Sequence, residues 1–316
     1  MLRTSSLAKW GVAALLVSSL SSCEDILEQY FPKPTPPPTI PTQPVAYSTY
    51  AIRRAGNTFE NGLVIFNPLT RATTQQLPIT GLSAASDRIL GIDLRPATGQ
   101  LYALVGTNNV PREPFTPDFI SNGRLYTINP ATGVATLVAP LSVPIGGRIG
   151  PFGFDFNPVV DRIRIVSETG QNLRVNPADG VAIEDGRING NNATAQGAAY
   201  DNNVAGATST NLYVLDLNRD KLGLLNPPNS GTVVDIGSLG VNETFWGFDI
   251  GGPSNTAYAV TVIAVSDAPL NFNITTHLFS INLTTGVATD LGELGFPVAT
   301  REAVPVPTGF TLGAGF

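Results

Sequence analysis

The chain has 316 residues, of which 13% are charged and 32 are glycine, and it carries a formal net charge of −6 from 18 Lys and Arg against 24 Asp and Glu. No basic cluster occurs in the sequence, which argues against a nucleic-acid partner, because phosphate neutralisation needs a basic patch. A single cysteine excludes a disulfide within the chain, and a single histidine excludes a zinc site with two or three histidine ligands.

The first predicted element is a targeting segment, a lipoprotein signal peptide over residues 1–22. Arg3 and Lys9 form a short basic region, and the apolar or small residues 10–20 are too few for a membrane-spanning helix, which needs about 20 residues. The segment ends in Leu-Ser-Ser before Cys23. It resembles a bacterial lipobox, which implies cleavage before Cys23 and lipid on its thiol. An ordinary signal peptide with an unrelated cysteine is the alternative. We therefore expect an exported lipoprotein, held in the bacterial outer membrane by lipid on Cys23, on its periplasmic side or at the cell surface.

Residues 23–44 form a predicted tether without a core of its own. The acidic residues after Cys23 resemble the surface-export signal of Bacteroidetes-type lipoproteins. The prolines between residues 32 and 44 favour extended polyproline II, which rises about 3.1 Å per residue. The folded domain is therefore predicted over residues 45–316, a length that is usual for one all-β barrel or propeller.

A four-strand unit recurs about every 45 to 60 residues in this domain. Strand A of each unit opens with a glycine followed by an apolar residue, and strands B, C and D are runs rich in β-branched and aromatic residues. Four copies of strand A begin at Gly91, Gly153, Gly197 and Gly247. No segment combines a sustained 3.6-residue period with helix caps, so no helix is predicted in the domain. Short strands in groups of four indicate the blades of a β-propeller.

The turn between strands C and D repeats as Asn-x-x-x-Gly. Its copies lie at 129–133, 176–180, 282–286 and, with Arg71 in place of glycine, at 67–71. Asparagine is expected to accept hydrogen bonds from the turn, and glycine to take the left-handed position at its end.

The two ends of the domain are predicted to share one blade. Residues 46–82 supply strands B, C and D without a strand A, and residues 303–309 can provide it, since prolines are tolerated on an edge strand. The prediction is an all-β fold, a single β-propeller of five four-stranded blades closed by a C-terminal strand, with six blades as the alternative.

Residues 151–180 carry the most specific resemblance to a known family. They contain G-F-D-F-N-P-V-V-D-R-I-R-I-V-S and then G-Q-N-L-R-V-N-P-A-D-G, and the later S-I-N-L-T-T-G-V-A-T fits the same pattern. The chain resembles the bacterial domain of unknown function 4394 family over most of residues 45–300. The resemblance implies an exported, β-propeller-like domain, and it implies no established reaction and no catalytic residue.

Aspartates of strand A are predicted to form a structural ring at the propeller axis. They are Asp93, Asp155, Asp201 and Asp249. The favoured interpretation is that each carboxylate accepts hydrogen bonds from a neighbouring blade, because an unpaired buried carboxylate is costly. A cation site is the alternative, weakened because residues 304–306 of the expected fifth strand A hold no aspartate. No metal and no other cofactor is predicted.

Polar side chains on two adjacent strands form a candidate ligand site. Arg162 and Arg164 share one face of a strand, and Asn172 and Arg174 share one face of the next, by the two-residue period. Grouped guanidinium groups can bind a carboxylate or a phosphate in bidentate geometry. An ion network between blades is the favoured alternative. Its expected acidic members are Asp155, Asp161 and Asp201.

Long connections are predicted on one side of the propeller. They are the B–C and D–A connections at 107–123, 141–152, 185–196 and 263–276, and long loops on a rigid scaffold favour binding. Arg148 and Trp246 lie on this side as candidate ligand-binding residues. Trp246 can stack on a sugar, although packing between blades is the favoured interpretation.

Patterns of catalytic residues are scarce in the domain. Catalysis of the Ser–His–Asp type would have to use His277, and no phosphate-binding glycine motif precedes a helix. The favoured function is a non-catalytic binding or scaffold module for a glycan or an envelope partner. The alternatives are a hydrolase or lyase that uses acidic residues, and a purely structural envelope protein.

Overall fold

The computed structural model describes residues 44–55, 58–107, 120–146, 150–268, 271–297 and 304–316. Five four-stranded antiparallel sheets form the blades of a β-propeller, which confirms the all-β fold and the predicted number of blades. Within these ranges, no helix has the length and apolar character that a membrane crossing requires.

The strands of each blade follow one another along the chain, except for the strand that closes the ring. The first blade contains β1 (Ala46–Arg54), β2 (Thr58–Phe66), β3 (Thr73–Pro78) and the C-terminal β22 (Val306–Leu312). The second contains β4 (Asp87–Leu94), β5 (Leu101–Thr107), β7 (Arg124–Ile128) and β8 (Ala135–Pro140). The third contains β10 (Gly153–Asn157), β11 (Arg162–Val166), β12 (Asn172–Val175) and β13 (Ala182–Glu184). The fourth contains β14 (Gly197–Tyr200), β15 (Leu212–Asp216), β16 (Lys221–Leu225) and β17 (Val233–Ser238). The fifth contains β18 (Phe245–Ile250), β19 (Ala257–Ala268), β20 (Asn271–Ile281) and β21 (Ala288–Leu294). A small separate sheet pairs β6 (Ile120–Ser121) with β9 (Ile145–Gly146).

The closing strand lies three residues further along the chain than predicted. β22 pairs with β1 from Ala46–Leu312 to Ala51–Val306, with a register shift beside Pro307. Proline has no N–H to donate to a ladder, so it fits at this irregularity. Closure by a C-terminal strand is confirmed, but its bounds of 303–309 were wrong.

The hairpin of the fifth blade is also longer than predicted. Residues 263–276 were expected to form a loop, yet β19 and β20 continue through most of this stretch and remain paired as far as Ala268 and Asn271. β-Branched residues such as Val265 and Ile274 occur along both arms and favour extension of the ladder.

Each interface between blades has its own hydrophobic core. Five buried clusters contain apolar side chains from neighbouring blades in every case, including the pair formed by the fifth and first blades. Between the second and third blades, for example, Tyr102 meets Phe156 edge to face with ring centroids 5.2 Å apart. Most of the apolar surface that the domain buries is therefore buried between neighbouring blades.

The predicted C–D turns join consecutive blades through the backbone. In the second blade Asn129 accepts a hydrogen bond from the N–H of Ala131 at 2.9 Å, and Gly133 has a φ of +75°, as the turn pattern predicted. The N–H of Thr80, just after the last strand of the first blade, donates to the carbonyl of Gly133 at 3.2 Å. A Cβ atom at Gly133 would lie 2.2 Å from the carbonyl oxygen of Pro78. Glycine is thus required here by space as well as by conformation.

Candidate functional site

Three of the predicted ring aspartates meet on the inner strands of the propeller. Asp93, Asp155 and Asp249 are 0%, 1% and 1% exposed, and carboxylate oxygens of all three lie within 4.8 Å of one another. Each accepts a hydrogen bond from a backbone N–H on the inner strand of the next blade. These bonds are Phe156 to Asp93 at 2.7 Å, Tyr200 to Asp155 at 2.8 Å and Leu312 to Asp249 at 2.6 Å. The carboxylates therefore link consecutive blades at the axis.

Asp201 does not join this group, so its assignment to the ring was wrong. It follows the end of β14 and accepts hydrogen bonds from the backbone and side chain of Asn211 at 2.6 and 2.8 Å. The residue two positions after Gly197 is Ala199, which is fully buried. In the other copies of strand A the aspartate lies two positions after the glycine, whereas Asp201 lies four positions after Gly197 and is therefore not the equivalent residue.

Thr311 completes the ring and was missed by the sequence analysis. Its hydroxyl oxygen lies 2.8 Å from Asp93 Oδ1 and 3.0 Å from Asp249 Oδ2, so it bridges two carboxylates. The signal was present in Gly309-Phe310-Thr311, which repeats the glycine–apolar–aspartate step with threonine in the last place.

The environment of the three carboxylates favours their protonated forms. Burial raises the pKa of Asp249 to about 7, against the opposing effect of its backbone hydrogen bonds. Burial and then the charge of Asp249 raise the pKa of Asp93 well above its ordinary value. Burial and then the charges of Asp93 and Asp249 do the same for Asp155. Neutral carboxyl groups can share protons where three like charges would repel one another.

This group is a poor candidate for catalysis. Its members are at most 1% exposed, so a glycosidic bond cannot reach them, although paired carboxylates are what glycoside hydrolysis requires. As a cation site it would offer three carboxylates and one hydroxyl whose oxygens already accept hydrogen bonds from the blades. Calcium takes about six to eight oxygen ligands. The geometry is that of a joint between blades.

The predicted arginine cluster lies on the third blade, where it faces the fourth. The side chain of Arg164 is 2% exposed; its Nη1 donates to Asn172 and to Asp185, both at 2.8 Å, and its Nη2 donates to Asn229 at 2.9 Å. Arg174 binds the two oxygens of Asp185 at 2.7 and 3.0 Å. Arg164, Asn172 and Arg174 are therefore brought together as predicted.

The acidic partner of the cluster was predicted wrongly. Neither Asp155 nor Asp201 pairs with these arginines, and Asp161 pairs with Arg95 of the second blade instead. Asp185, at the end of the third blade, takes their place. Asp185 directly follows β13, and the sequence gave no signal that it lies near Arg164 and Arg174, because the contact depends on how that strand passes them.

A cavity of about 260 Å³ opens beside these arginines. Its walls come from the β10–β11 turn, from β11 and β12, and from Tyr200 and the β16–β17 connection of the fourth blade. The lining includes Arg162, which is exposed, Arg164 and Arg174. Two guanidinium groups share the single carboxylate of Asp185, and Arg162 adds a third positive charge. The cavity is thus cationic in an acidic protein. It lies at the short turns and not on the side of the long connections, where binding was predicted.

Trp246 occupies a bulge in β18 on the side of the long connections. The register shift between Phe245 and Gly247 leaves Trp246 without a partner in β19. Its half-buried ring lies 5.6 Å from the guanidinium carbon of Arg88. Cys23 and Arg148 lie outside the described residues, so their roles remain predictions.

His277 lies in a hydrogen-bonded chain with two other side chains. Its Nδ1 is 3.0 Å from both oxygens of Asp290, and its Nε2 is 3.0 Å from the hydroxyl of Thr275. The chain has the order of a hydrolytic triad, with Thr275 in the place of the nucleophile, His277 in that of the base and Asp290 in that of the orienting acid.

Comparisons with known proteins identify a family and a distant fold likeness. The model of the family described as Domain of unknown function (DUF4394) matches residues 62–302. A comparison with curated proteins finds no match. Among solved structures, a candidate exo-β-1,3-galactanase from Bifidobacterium bifidum s17 is similar with a TM-score of 0.40 and 10% identity, over 80% of this chain and 93% of that one. Apo AztD from Citrobacter koseri is similar with a TM-score of 0.33 and 9% identity, over 85% of this chain and 98% of that one. Both TM-scores are below 0.5, so neither likeness bears on function.

Proposed function

This chain belongs to the Domain of unknown function (DUF4394) family, and we propose that it is a membrane-anchored, non-catalytic module that binds the acidic group of a glycan outside the cytoplasm. The observation that carries the proposal is the cationic cavity between the third and fourth blades. Lipid on Cys23 and the proline-rich tether would hold the propeller at the outer membrane. The cavity is smaller than the roughly 300 Å³ at which pockets for drug-sized ligands begin, so it suits one end group of a glycan.

The arginines of the cavity have different tasks in this proposal. Arg164 uses all three of its nitrogens inside the protein, with its Nε donating to the hydroxyl of Tyr200 at 3.3 Å. It therefore positions Arg174 through their common partner Asp185. Arg174 uses Nε and Nη2 on Asp185, which leaves Nη1 for a ligand. Arg162 donates Nη1 to the backbone carbonyl of Asp161 and presents its other donors to solvent.

An array of neutral, uronic-acid and sulfated glycans tests the proposal on the full chain. We expect binding to acidic glycans that weakens at least tenfold in the double variant Arg162→Ala/Arg174→Ala. Arg54→Ala is the matched control, because Arg54 pairs with Glu60 on the exposed surface away from the cavity. Equal binding by the double variant would refute the site. Retention of an acidic envelope protein instead of a glycan would redirect the function to a scaffold, and absence of any ligand would favour a purely structural protein.

Hydrolysis is a second candidate function, supported by the chain of Thr275, His277 and Asp290. With its proton on Nδ1, His277 donates to Asp290 and can accept the hydroxyl proton of Thr275 at Nε2. Hydrolysis of p-nitrophenyl acetate measures this directly. Activity that disappears in both Thr275→Val and His277→Gln would favour a hydrolase, and activity that persists in either variant would exclude this chain of residues.

A further inference from the structure

Arg88 is a buried cation on the inner strand of the second blade. It is 7% exposed, and its Nε has no hydrogen-bond partner. The carboxylate of the preceding residue, Asp87, is engaged by Arg124 at 2.5 Å and by Thr107 at 2.9 Å. Among the described residues, no acidic side chain forms an ion pair with Arg88. This arginine is unlike those of the cavity, where Asp185 balances part of the charge.

The protein keeps this charge in place although its burial is unfavourable. Burial lowers the pKa of Arg88 to about 10, so the group still carries its proton at neutral pH. A buried charge without a counter-ion is strongly destabilising, and proteins normally pair such a group or replace it. Because no acidic residue in the described part of the chain neutralises this guanidinium group, it can accept an anion that is supplied by a ligand.

Two aromatic rings from other blades stand beside the guanidinium group. The Arg88 carbon Cζ lies 5.9 Å from the ring centre of Phe59 on β2 and 5.6 Å from that of Trp246 on β18. Both rings are half-buried and keep an accessible part. Cation–π contacts satisfy the faces of a guanidinium group and leave its in-plane N–H donors available. The bulge in β18 directs Trp246 to this position.

We infer that Arg88, Phe59 and Trp246 form a second ligand site, which binds the carboxylate of an acidic sugar. A single guanidinium group matches a monoanion in charge and can bind the two oxygens of a carboxylate side by side. Tryptophan supplies an apolar surface for the sugar ring. All three residues lie near the starts of their strands, at the end of the propeller that carries the long connections. The cavity of the proposed function lies at the other end, so this site is independent of it.

Tryptophan fluorescence reports on this site directly. The chain has two tryptophans, Trp10 and Trp246, so in the full chain with Trp10→Phe the single tryptophan is Trp246 beside Arg88. We expect D-glucuronate to change the emission in a saturable way and D-glucose, its neutral counterpart, to cause no change. Arg88→Met should weaken the glucuronate response at least tenfold. The response should persist in Arg162→Ala/Arg174→Ala, which separates this site from the cavity.

The stability of Arg88→Met without ligand provides a second readout. Removal of a buried charge that has no acidic partner among the described residues should raise the melting temperature, because methionine fills much of the same space without a desolvated cation. A lower melting temperature would show that Arg88 stabilises the protein without a ligand, and this would overturn the proposal. The proposal is also wrong if the wild-type emission does not respond to glucuronate, or if the response survives in Arg88→Met.

Discussion

The free energy of unfolding of the wild-type protein should depend on pH between about pH 4 and pH 7, and Asp249→Asn should remove much of this dependence. The folded-state pKa of Asp249 is about 7, whereas an unfolded aspartate has a pKa of about 3.9. The folded state therefore binds this proton more tightly, and the resulting stability is fully present below about pH 3.9 and is lost as the pH rises through 7. At about 1.4 kcal/mol for each pKa unit, the free energy of unfolding should fall by about 4 kcal/mol across this window. Asp93 and Asp155, whose pKa values are also raised, act in the same direction.

The change in the free energy of unfolding with pH tests this prediction, whereas the absolute free energy of unfolding at one pH does not. Asparagine has one acceptor oxygen, so Asp249→Asn must lose one of the hydrogen bonds from Ile250 and Leu312, both at 2.6 Å. That loss costs about 1–3 kcal/mol at every pH. Arg95 holds the pKa of Asp161 below its usual range, so this surface pair changes stability mainly below about pH 4, outside the window.

Urea unfolding followed by circular dichroism between about pH 4.5 and pH 8.5 measures this slope. EDTA in every sample keeps adventitious cations from the carboxylates. Asp201→Asn is the matched control, because Asp201 lies outside the group of three, and it should keep the wild-type slope. Wild-type stability that stays constant or rises over this range, or a slope that is unchanged in Asp249→Asn, would show that the carboxylates are not held as inferred.

Other predictions concern the turns and the anchor. Gly133→Ala should destabilise the domain by more than about 2 kcal/mol, because its Cβ would meet the carbonyl of Pro78. Gly206→Ala should cost only about 1 kcal/mol, because Gly206 has a similar φ of +79° but nothing within 4 Å of the added Cβ. Similar urea midpoints for the two variants would contradict the steric explanation. Arg71→Gly should raise the unfolding free energy by about 0.5 kcal/mol, because Arg71 has a φ of +63° that glycine adopts without strain, and a lower urea midpoint would contradict this. Cys23→Ser should move the protein from the membrane fraction to the soluble fraction after cell breakage, and a variant that stays with the membranes would disprove lipid anchoring.

Local chemistry in the sequence was sufficient to predict most of the propeller. Asparagine and glycine at fixed separations predicted the C–D turns, and residues 46–82 lacked an inner strand that only the C-terminal end could supply. Because prolines are tolerated on an edge strand, the prolines near residue 305 led to a predicted closing strand that lay too close to the N-terminus. The step at Gly309 would have corrected this and would also have identified Thr311 as a member of the ring.

The candidate sites depend more on the contacts between blades. Arg164 and Arg174 could be placed together because neighbouring strands and a two-residue period fix their positions. Asp185 could not be assigned to them, since the path of the last strand of a blade is set by packing against the next blade. Nothing in the sequence singled out Arg88, because its burial results from side chains of the first, second and fifth blades.

The pairing of β22 with β1 makes the completion of the first blade a late step in folding. Hairpins within the other blades form from segments close together in the chain, whereas Ser48 and Gly309, joined by a hydrogen bond at 2.8 Å, are 261 positions apart. Contacts of such separation are slow to form, because a long loop must close before they are made. In a chain that is made from its N-terminus, β1, β2 and β3 therefore lack their inner strand until β22 (Val306–Leu312) is available, and only then can the ring of blades close.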